Sequence, residues 1–205
     1  MSPRAYDSPA RRAAAEATRA RILDAAHALV AGRGDLADVS VELVARRAGV
    51  ARMTVYYQFE SKGGLLSALM DHMAERAGMA RLREAFMAPD PESALRRLVD
   101  VFVHFWSTER VAIRRLRAMA VVDPREGAGA RGRDAWRREA VRNLLRKFGD
   151  RPDLTRDDRL IELLTMLTSF ETFDQLATNR RSGEIVAGWI GDAAMALVNG
   201  ARRLR

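Results

Sequence analysis

The sequence predicts an all-α protein, with an N-terminal helix-turn-helix module followed by a larger C-terminal helical bundle. Apolar residues recur at helical spacing along nearly all of the 205 residues. Stretches rich in glycine or proline, such as residues 88–92 and 123–132, separate these segments. No run of alternating apolar and polar residues is bounded by turn signals, so we predict no β-strands.

The predicted elements begin after an N-terminal arm. Residues 1–12 are rich in proline, serine and arginine, and we expect them to be disordered. Residues 13–64 make up the module and residues 65–205 the bundle. In the module, Ser40 can cap a short helix and Gly49 can end it, because glycine tolerates left-handed backbone angles. The helices are predicted at about 13–31, 41–48, 52–59, 62–84, 93–109, 111–122, 134–148, 155–178 and 182–204.

Composition limits the possible classes of protein. At 48% hydrophobic residues the chain can bury a substantial core, and its formal net charge of +8 suits an anionic partner. The absence of cysteine excludes disulfides, thiolate nucleophiles and zinc–cysteine sites, and it suits a reducing cytoplasm. No apolar run approaches the roughly 18 residues of a membrane span, and no signal peptide is recognisable. We therefore expect a cytoplasmic protein with no membrane partner.

The segment from Ser40 to Phe59 has the spacing of a helix-turn-helix. Ala45 is small where the second helix would cross close to the first, and Gly49 makes the turn. At 100° per residue, Val55 and Phe59 share one face of the second helix, which we expect to be buried. The other faces carry a mixture of hydroxyl, aromatic, methyl and guanidinium groups, which suits contacts with phosphates and base edges. These residues are Arg52, Met53, Thr54, Tyr56 and Tyr57.

The stretch VELVARRAGVARMTVYYQFESKGGLLSALM resembles the DNA-binding signature of TetR-type transcriptional regulators. The matching parts are the Ala48-Gly49-Val50 turn, the Thr54 to Phe59 helix, Lys62 and the pair Leu65-Leu66. The specific signal covers residues 18 to about 70. Met53 stands where glycine or proline is common in the family, and Gly63 where an acidic residue is common.

The resemblance implies a role for each matching residue. Arg52, Met53 and Thr54 correspond to the base-reading start of the recognition helix. Tyr56 and Tyr57 correspond to positions that contact phosphates or bases. The remaining two matches are Lys62, at the position of a phosphate clamp, and Ser40, at that of a helix cap that also faces phosphate.

Several of these side chains also have simpler interpretations. Tyr56 adjoins a core position and is as well explained by packing as by DNA contact. Lys62 taken alone would be a solvated lysine. The arginines of the arm, Arg4, Arg11 and Arg12, either reach DNA or belong to a disordered tail.

No residues are arranged for catalysis, and we expect no enzyme activity, cofactor or metal. His72 and Glu75 lie three residues apart on one helix, but nothing supplies a second pair of metal ligands. His104 lies in an apolar segment and is interpreted as a core histidine. Glu171 and Asp174 share a helical spacing without any sign of a general-acid environment. The competing class is a helical ligand carrier or enzyme whose N-terminal module is vestigial.

The bundle is predicted to bind a ligand and to form a homodimer. Its last two helices are apolar on more than one side, which indicates burial on more than one side. Self-association is the simplest interpretation, and a purely intramolecular core is the alternative. The residues expected in the dimer interface are Leu163, Phe173, Val186, Trp189, Ile190, Ala193 and Leu197. The ligand-pocket candidates are His104, Phe105, Trp106, Met119, Trp136, Met166 and Phe170. Together with the resemblance, this predicts a transcriptional regulator that binds a double-stranded, pseudo-palindromic DNA operator and is released by a small apolar effector. The resemblance implies repression, and activation is the alternative.

Overall fold

A computed structural model describes residues 9–32, 34, 39–122, 128–149, 153–178 and 180–201, apart from the side chains of residues 128–131. These residues contain eleven α-helices and no strand, so the all-α prediction is confirmed. The helices are α1 (Pro9–Val30), α2 (Val41–Ala48), α3 (Arg52–Phe59), α4 (Lys62–Arg76), α5 (Leu82–Met87), α6 (Pro91–Thr108), α7 (Arg110–Val122), α8 (Ala128–Leu145), α9 (Asp158–Leu167), α10 (Phe170–Leu176) and α11 (Gly183–Gly200).

The chain divides into two compact units. The first comprises residues 1–72 and 114–129, and the second comprises residues 73–113 and 130–205. The predicted boundary between residues 64 and 65 therefore lies within the range of the first unit. The inclusion of residues 114–129 in that unit is a long-range feature with no signal in the local sequence.

In the first unit, α1 packs on α2, and α2 packs on α3. Their apolar stripes meet in a core whose members have at most 5% of their surface exposed. Burial of these side chains fixes the three helices relative to one another. The helices α2 and α3, at eight residues each, are too short to be stable alone in water. The core includes Ile22, Ala26, Val30, Val44, Ala45, Val55 and Phe59.

In the second unit, α6 packs against α5, α10 and α11, and α11 also packs against α9. Asp90 caps α6 by accepting a hydrogen bond from the amide of Ser93 at 2.8 Å, and Pro91 occupies the first turn, where a missing N–H costs little. The hydrogen bonds from the Ser93 amide and hydroxyl hold the pKa of Asp90 below its usual value. Gly183 lets the start of α11 lie close to α6, since a Cβ there would be 3.3 Å from the Ser107 Oγ.

Four predicted helix boundaries were wrong by four residues or more. Helix α1 begins at Pro9, so Arg11 and Arg12 are helical rather than part of a disordered arm; Arg4 lies outside the described residues. Helix α4 ends at Arg76, because Gly78 adopts a left-handed φ of 73° before the short 3-10 turn Met79–Arg81. The predicted loop 123–132 is shorter, since α8 begins at Ala128. The last helix ends at Gly200 rather than at residue 204.

The predicted helix 155–178 is two helices. The break falls at Thr168 and Ser169, in an otherwise apolar run. The hydroxyl of Thr168 donates to the Leu164 carbonyl at 2.9 Å, and the Ser169 hydroxyl accepts from the Thr172 amide at 3.2 Å. Both side chains compete with the backbone for hydrogen bonds, which ends α9 and caps α10.

None of the helices in the described part of the chain has the length and hydropathy that a bilayer span requires.

Candidate nucleic-acid interface

The turn between α2 and α3 is built as the sequence predicts. The hydroxyl oxygen of Ser40 accepts a hydrogen bond from the amide of Leu43 at 3.1 Å, which caps α2. Gly49 has a φ of 67°, and the amide of Val50 donates to the Ala45 carbonyl at 3.0 Å. This left-handed C-cap turns the chain sharply, and α3 packs on α2, in which Ala45 is buried.

Helix α3 has a buried face and an exposed face, also as predicted. Val55 and Phe59 are 1% and 5% exposed and belong to the core. On the opposite side, Met53 is 73% exposed and Tyr57 is 88% exposed. Two large side chains, one apolar and one aromatic, therefore project into solvent from a helix whose opposite face is packed in the core. We call Arg52, Met53, Thr54, Tyr56 and Tyr57 the recognition face.

Arg52 and Tyr56 form a pair on the recognition face. The Nη2 of Arg52 donates to the Tyr56 hydroxyl oxygen at 3.3 Å, and its guanidinium carbon lies 5.4 Å from the centre of the tyrosine ring. This hydrogen bond raises the pKa of Arg52. Tyr56 is half-buried, so it packs at the edge of the core, and its hydroxyl orients Arg52 at the exposed start of α3. Its contact with DNA stays a prediction.

The connection from α3 to α4 is tightly constrained. Glu60 has a positive φ of 63°, and its amide donates to the Tyr56 carbonyl at 2.7 Å. The Ser61 hydroxyl accepts from the Gly64 amide at 3.0 Å and so caps the start of α4. A Cβ at Gly64 would lie 2.1 Å from the Phe59 carbonyl oxygen, so any side chain there would displace the backbone. This turn places half-buried Lys62 in the first turn of α4, next to the end of α3.

Two arginines that support this unit were missed by the sequence analysis. The Nη1 of Arg19 donates to the Gln58 carbonyl at 3.0 Å, and its guanidinium lies 4.4 Å from the centre of the Phe59 ring. Arg115 donates to the carbonyl oxygens of Gly32 at 2.7 Å and Gly34 at 2.6 Å, just beyond the end of α1. Both arginines bind backbone carbonyls far away in the sequence, and no local pattern identifies such acceptors.

Residues 22–69 match a family model described as bacterial regulatory proteins of the tetR family. The N-terminal domain is that of the TetR family. The matched range spans the core of the first unit and all of α2, α3 and the connection to α4. The predicted resemblance is therefore confirmed for the part of the chain that carried it.

Solved structures of regulators share the fold. Two come from Rhodococcus sp. RHA1. One, a TetR-like transcriptional regulator, has 21% identity and a TM-score of 0.63 over 89% of this chain and 96% of its own. The other, a transcriptional regulator, has 20% identity and a TM-score of 0.68 over the same shares. An Aquifex aeolicus transcriptional regulator has 16% identity and a TM-score of 0.63 over 88% of this chain and 99% of its own. No curated protein sequence matches the chain.

The matched N-terminal domain indicates a DNA-binding transcriptional regulator, and the solved structures show the fold. Within the described residues, no three His, Asp or Glu side chains are grouped as they would be around a metal ion. His72, considered above as a metal ligand, instead has its Nε2 3.0 Å from Asp24 Oδ1.

Among the residues that the structure describes, the candidates for the ligand pocket differ in burial and in the unit to which they belong. Phe105, Trp106 and Phe170 are buried in an aromatic cluster, in which Trp106 Nε1 donates to the Thr168 carbonyl at 3.0 Å. Trp136 contacts this cluster through Phe102 and is 53% exposed. Met166 is exposed on α9, and Met119 belongs to the first unit.

His104 was wrongly interpreted as a core residue, because it is exposed. It lines an open groove of about 620 Å³ in the second unit, bordered by α6, the start of α11 and the 3-10 turn before α5. Burial raises the pKa of Asp100 in the wall of this groove. The polar side chains of the groove are Arg81, Asp100, His104, Ser107, Ser182 and Glu184.

The predicted interface residues separate into two groups. Phe173, Val186 and Ile190 are at most 1% exposed and belong to the core of the second unit, so they are not on its surface. Leu163, Ala193 and Leu197 are partly exposed and Trp189 is 49% exposed. Because α11 is apolar on nearly every side, its sequence does not show which side faces its own protomer.

We call the outward-facing residues Leu163, Met166, Ile185, Trp189, Ala196 and Leu197 the outer face of α9 and α11.

Proposed function

We propose that the protein is a homodimeric transcriptional repressor that binds a pseudo-palindromic DNA operator and is released from it by a small effector. The observation that carries this proposal is the recognition face. In this eight-residue helix one face is buried, and Met53 and Tyr57 on the other face are exposed to solvent. Exposed large side chains of this kind, beside guanidinium and hydroxyl groups, are suited to a partner surface that is both apolar and anionic.

In this proposal the two ends of α3 have different tasks. Arg52 and Thr54 lie at its start, where side chains of a recognition helix reach base edges in the major groove. Lys62 lies just past its end, and its ammonium group contacts a phosphate. Ser40 accepts a hydrogen bond from the Leu43 amide, which leaves its hydroxyl proton to donate to a second phosphate.

Dimerisation would use the outer face of α9 and α11. Trp189 and Ile185 are 49% and 45% exposed one helical turn apart, and Met166 on α9 is 54% exposed. Between the two helices lies a shallow groove of about 300 Å³, lined in part by Leu163, Ala196 and Leu197. Apolar side chains of this size are costly to leave in water, and a second copy would bury them in a four-helix interface.

The effector would bind in the second unit. An apolar effector, as the sequence predicts, would lie against the aromatic cluster, with Trp136 at its exposed edge. A polar effector would lie in the groove beside His104 and Asp100. Titration of tryptophan fluorescence in wild type, Trp136→Phe and His104→Ala separates these sites, because only one substitution should weaken binding of a given effector.

The experiment that tests the function begins with selection of bound duplexes from a random DNA library, followed by a mobility-shift assay. A repressor of this class selects a motif with two related half-sites about one helical turn apart. Reporter expression from a promoter containing that motif should fall when the protein is present. If no motif is enriched, or if the protein binds every duplex equally, the regulator proposal is wrong and the carrier alternative is favoured.

A further inference from the structure

The first half of α1 extends away from the core of its unit. Every residue from Pro9 to Ala17 is exposed, and the first fully buried residue is Ile22. A stretch of more than two helical turns thus forms without a packed face. It contains two arginines, Arg11 and Arg12, and one acidic residue, Glu16.

Helical geometry relates Arg12 to the end of the recognition helix. Arg12 precedes Arg19 by seven residues, so the two side chains point within about 20° of each other, two turns apart or roughly 10 Å along the axis. Arg19 is held against the end of α3 by the Gln58 carbonyl and the Phe59 ring. Arg12 therefore continues the same face of α1 beyond that end of α3, where Lys62 follows three residues after Phe59.

We propose that Arg12 contacts the phosphate backbone of the DNA that flanks the half-site bound by α3. This inference rests on the proposed function and extends the bound surface outward from the recognition face. The partner is duplex DNA because the extension is cationic at its tip and belongs to the same unit as α3. Glu16, one turn from Arg12 on the same face, opposes the contact by its negative charge.

Arg21 provides a matched control. It is exposed and lies on the same helix, but nine residues from Arg12, which places it about 180° around the axis. It has the same charge and a comparable helical environment. A general effect of net charge would therefore appear at both positions, whereas a contact on one face would appear only at Arg12.

The test measures binding against salt concentration for wild type, Arg12→Ala, Arg12→Lys, Arg21→Ala and Glu16→Gln. Two duplexes are compared: one ends at the outermost base pairs whose substitution weakens binding, and the other extends ten base pairs further on each side. On the longer duplex, Arg12→Ala should lower the slope of log affinity against log salt by about 0.9 for each subunit. Arg12→Lys should retain the slope, Arg21→Ala should match wild type, and Glu16→Gln should strengthen binding.

On the shorter duplex, all five proteins should have similar slopes, and circular dichroism should show equal melting temperatures. The contact is refuted if Arg12→Ala and Arg21→Ala have the same slope on the longer duplex, or if Glu16→Gln leaves affinity unchanged there. Wild type that binds the motif without any dependence on flanking length likewise refutes the contact while leaving the proposed function intact. Wild type that binds neither duplex specifically refutes both.

Discussion

The guanidinium of Arg19 lies 4.4 Å from the centre of the Phe59 ring, and its Nη1 donates to the neighbouring Gln58 carbonyl at 3.0 Å. One side chain of α1 thus satisfies a carbonyl at the end of α3 and covers the aromatic residue that anchors α3 in the core. The position of α3 depends on this residue as well as on the helix-turn-helix motif.

We predict that Arg19→Met lowers the free energy of unfolding by about 2–4 kcal/mol, the sum expected for a charge-assisted hydrogen bond and a cation–π contact. Methionine retains the apolar stem and the helix propensity, so the loss is specific to the guanidinium. Chemical denaturation measures the change, with Arg21→Met as the control. Equal stability of the two variants would contradict the supporting role of Arg19.

Gly64→Ala should disrupt the connection between α3 and α4. The added Cβ would lie 2.1 Å from the Phe59 carbonyl oxygen, so the backbone must move, at a cost of about 1–3 kcal/mol. Gly132, a helical glycine with nothing within 4 Å of its Cβ position, is the control, and Gly132→Ala should stabilise the protein by about 0.5–1 kcal/mol. Melting curves should show a lower melting temperature for Gly64→Ala and a higher one for Gly132→Ala. A Gly64→Ala protein as stable as wild type would contradict the prediction, because the backbone would then accommodate the added Cβ at little cost.

Tyr56 and Tyr57 should respond differently to truncation, although they are adjacent. Tyr57 is 88% exposed, so Tyr57→Ala should leave the melting temperature unchanged and weaken operator binding. Tyr56→Phe retains the ring but removes the hydroxyl that accepts from Arg52, so we expect normal stability and reduced discrimination between operator and random DNA. Mobility shifts on both DNAs, with thermal melts beside them, make the comparison. A destabilised Tyr57→Ala protein would contradict the orientation of α3.

Lys62→Ala should weaken binding about equally on operator and unrelated DNA and lower the salt slope by roughly 1, because a phosphate contact carries no sequence information. Arg52→Ala and Thr54→Ala should instead reduce operator affinity about ten-fold or more and change affinity for unrelated DNA much less. Salt titrations on two duplexes distinguish the effects. An unchanged operator-to-random ratio in both variants would show that the start of α3 does not read bases.

Trp189→Asp should give a folded monomer, since Trp189 is half-exposed on the outer face of α9 and α11. Val111, 54% exposed on α7, supplies the control, and Val111→Asp introduces the same charge at a similarly exposed site. Analytical ultracentrifugation should find a dimer for the control and a monomer for Trp189→Asp. By contrast, Ile190→Asp should unfold the protein, because Ile190 is 1% exposed in the protomer core. A dimeric Trp189→Asp protein would place the interface elsewhere.

Local rules predicted the module well. The Ser40 cap and the left-handed Gly49 depend on residues close by in the chain. That Val55 is buried and Tyr57 exposed follows from helical periodicity alone. The supporting contacts could not be predicted in this way. Arg115 binds Gly32 across 83 residues, and its acceptor is a backbone carbonyl that every residue type possesses.

The bundle was harder to predict for a related reason. Helix α11 is rich in apolar residues on all sides, so periodicity does not distinguish Val186 and Ile190, which are buried in the protomer, from Trp189, which is not. The aromatic residues chosen for a ligand pocket also suit an ordinary core, and Phe105, Trp106 and Phe170 are packed against one another. The break at Ser169 did carry a local signal, because serine is a favoured N-cap.

The anchoring of α3 in the core and at its C-terminal end has a consequence for the kinetics of binding. An isolated eight-residue helix would be mostly unfolded in water, but here Val55, Phe59, Arg19 and the Gly64 turn hold it in place before DNA arrives. The conformational entropy of this segment is lost when the chain folds, not when the complex forms. Association should therefore be fast and governed by charge, with a rate that falls as salt rises. Differences between good and poor operator sequences should then appear in how long each complex lasts.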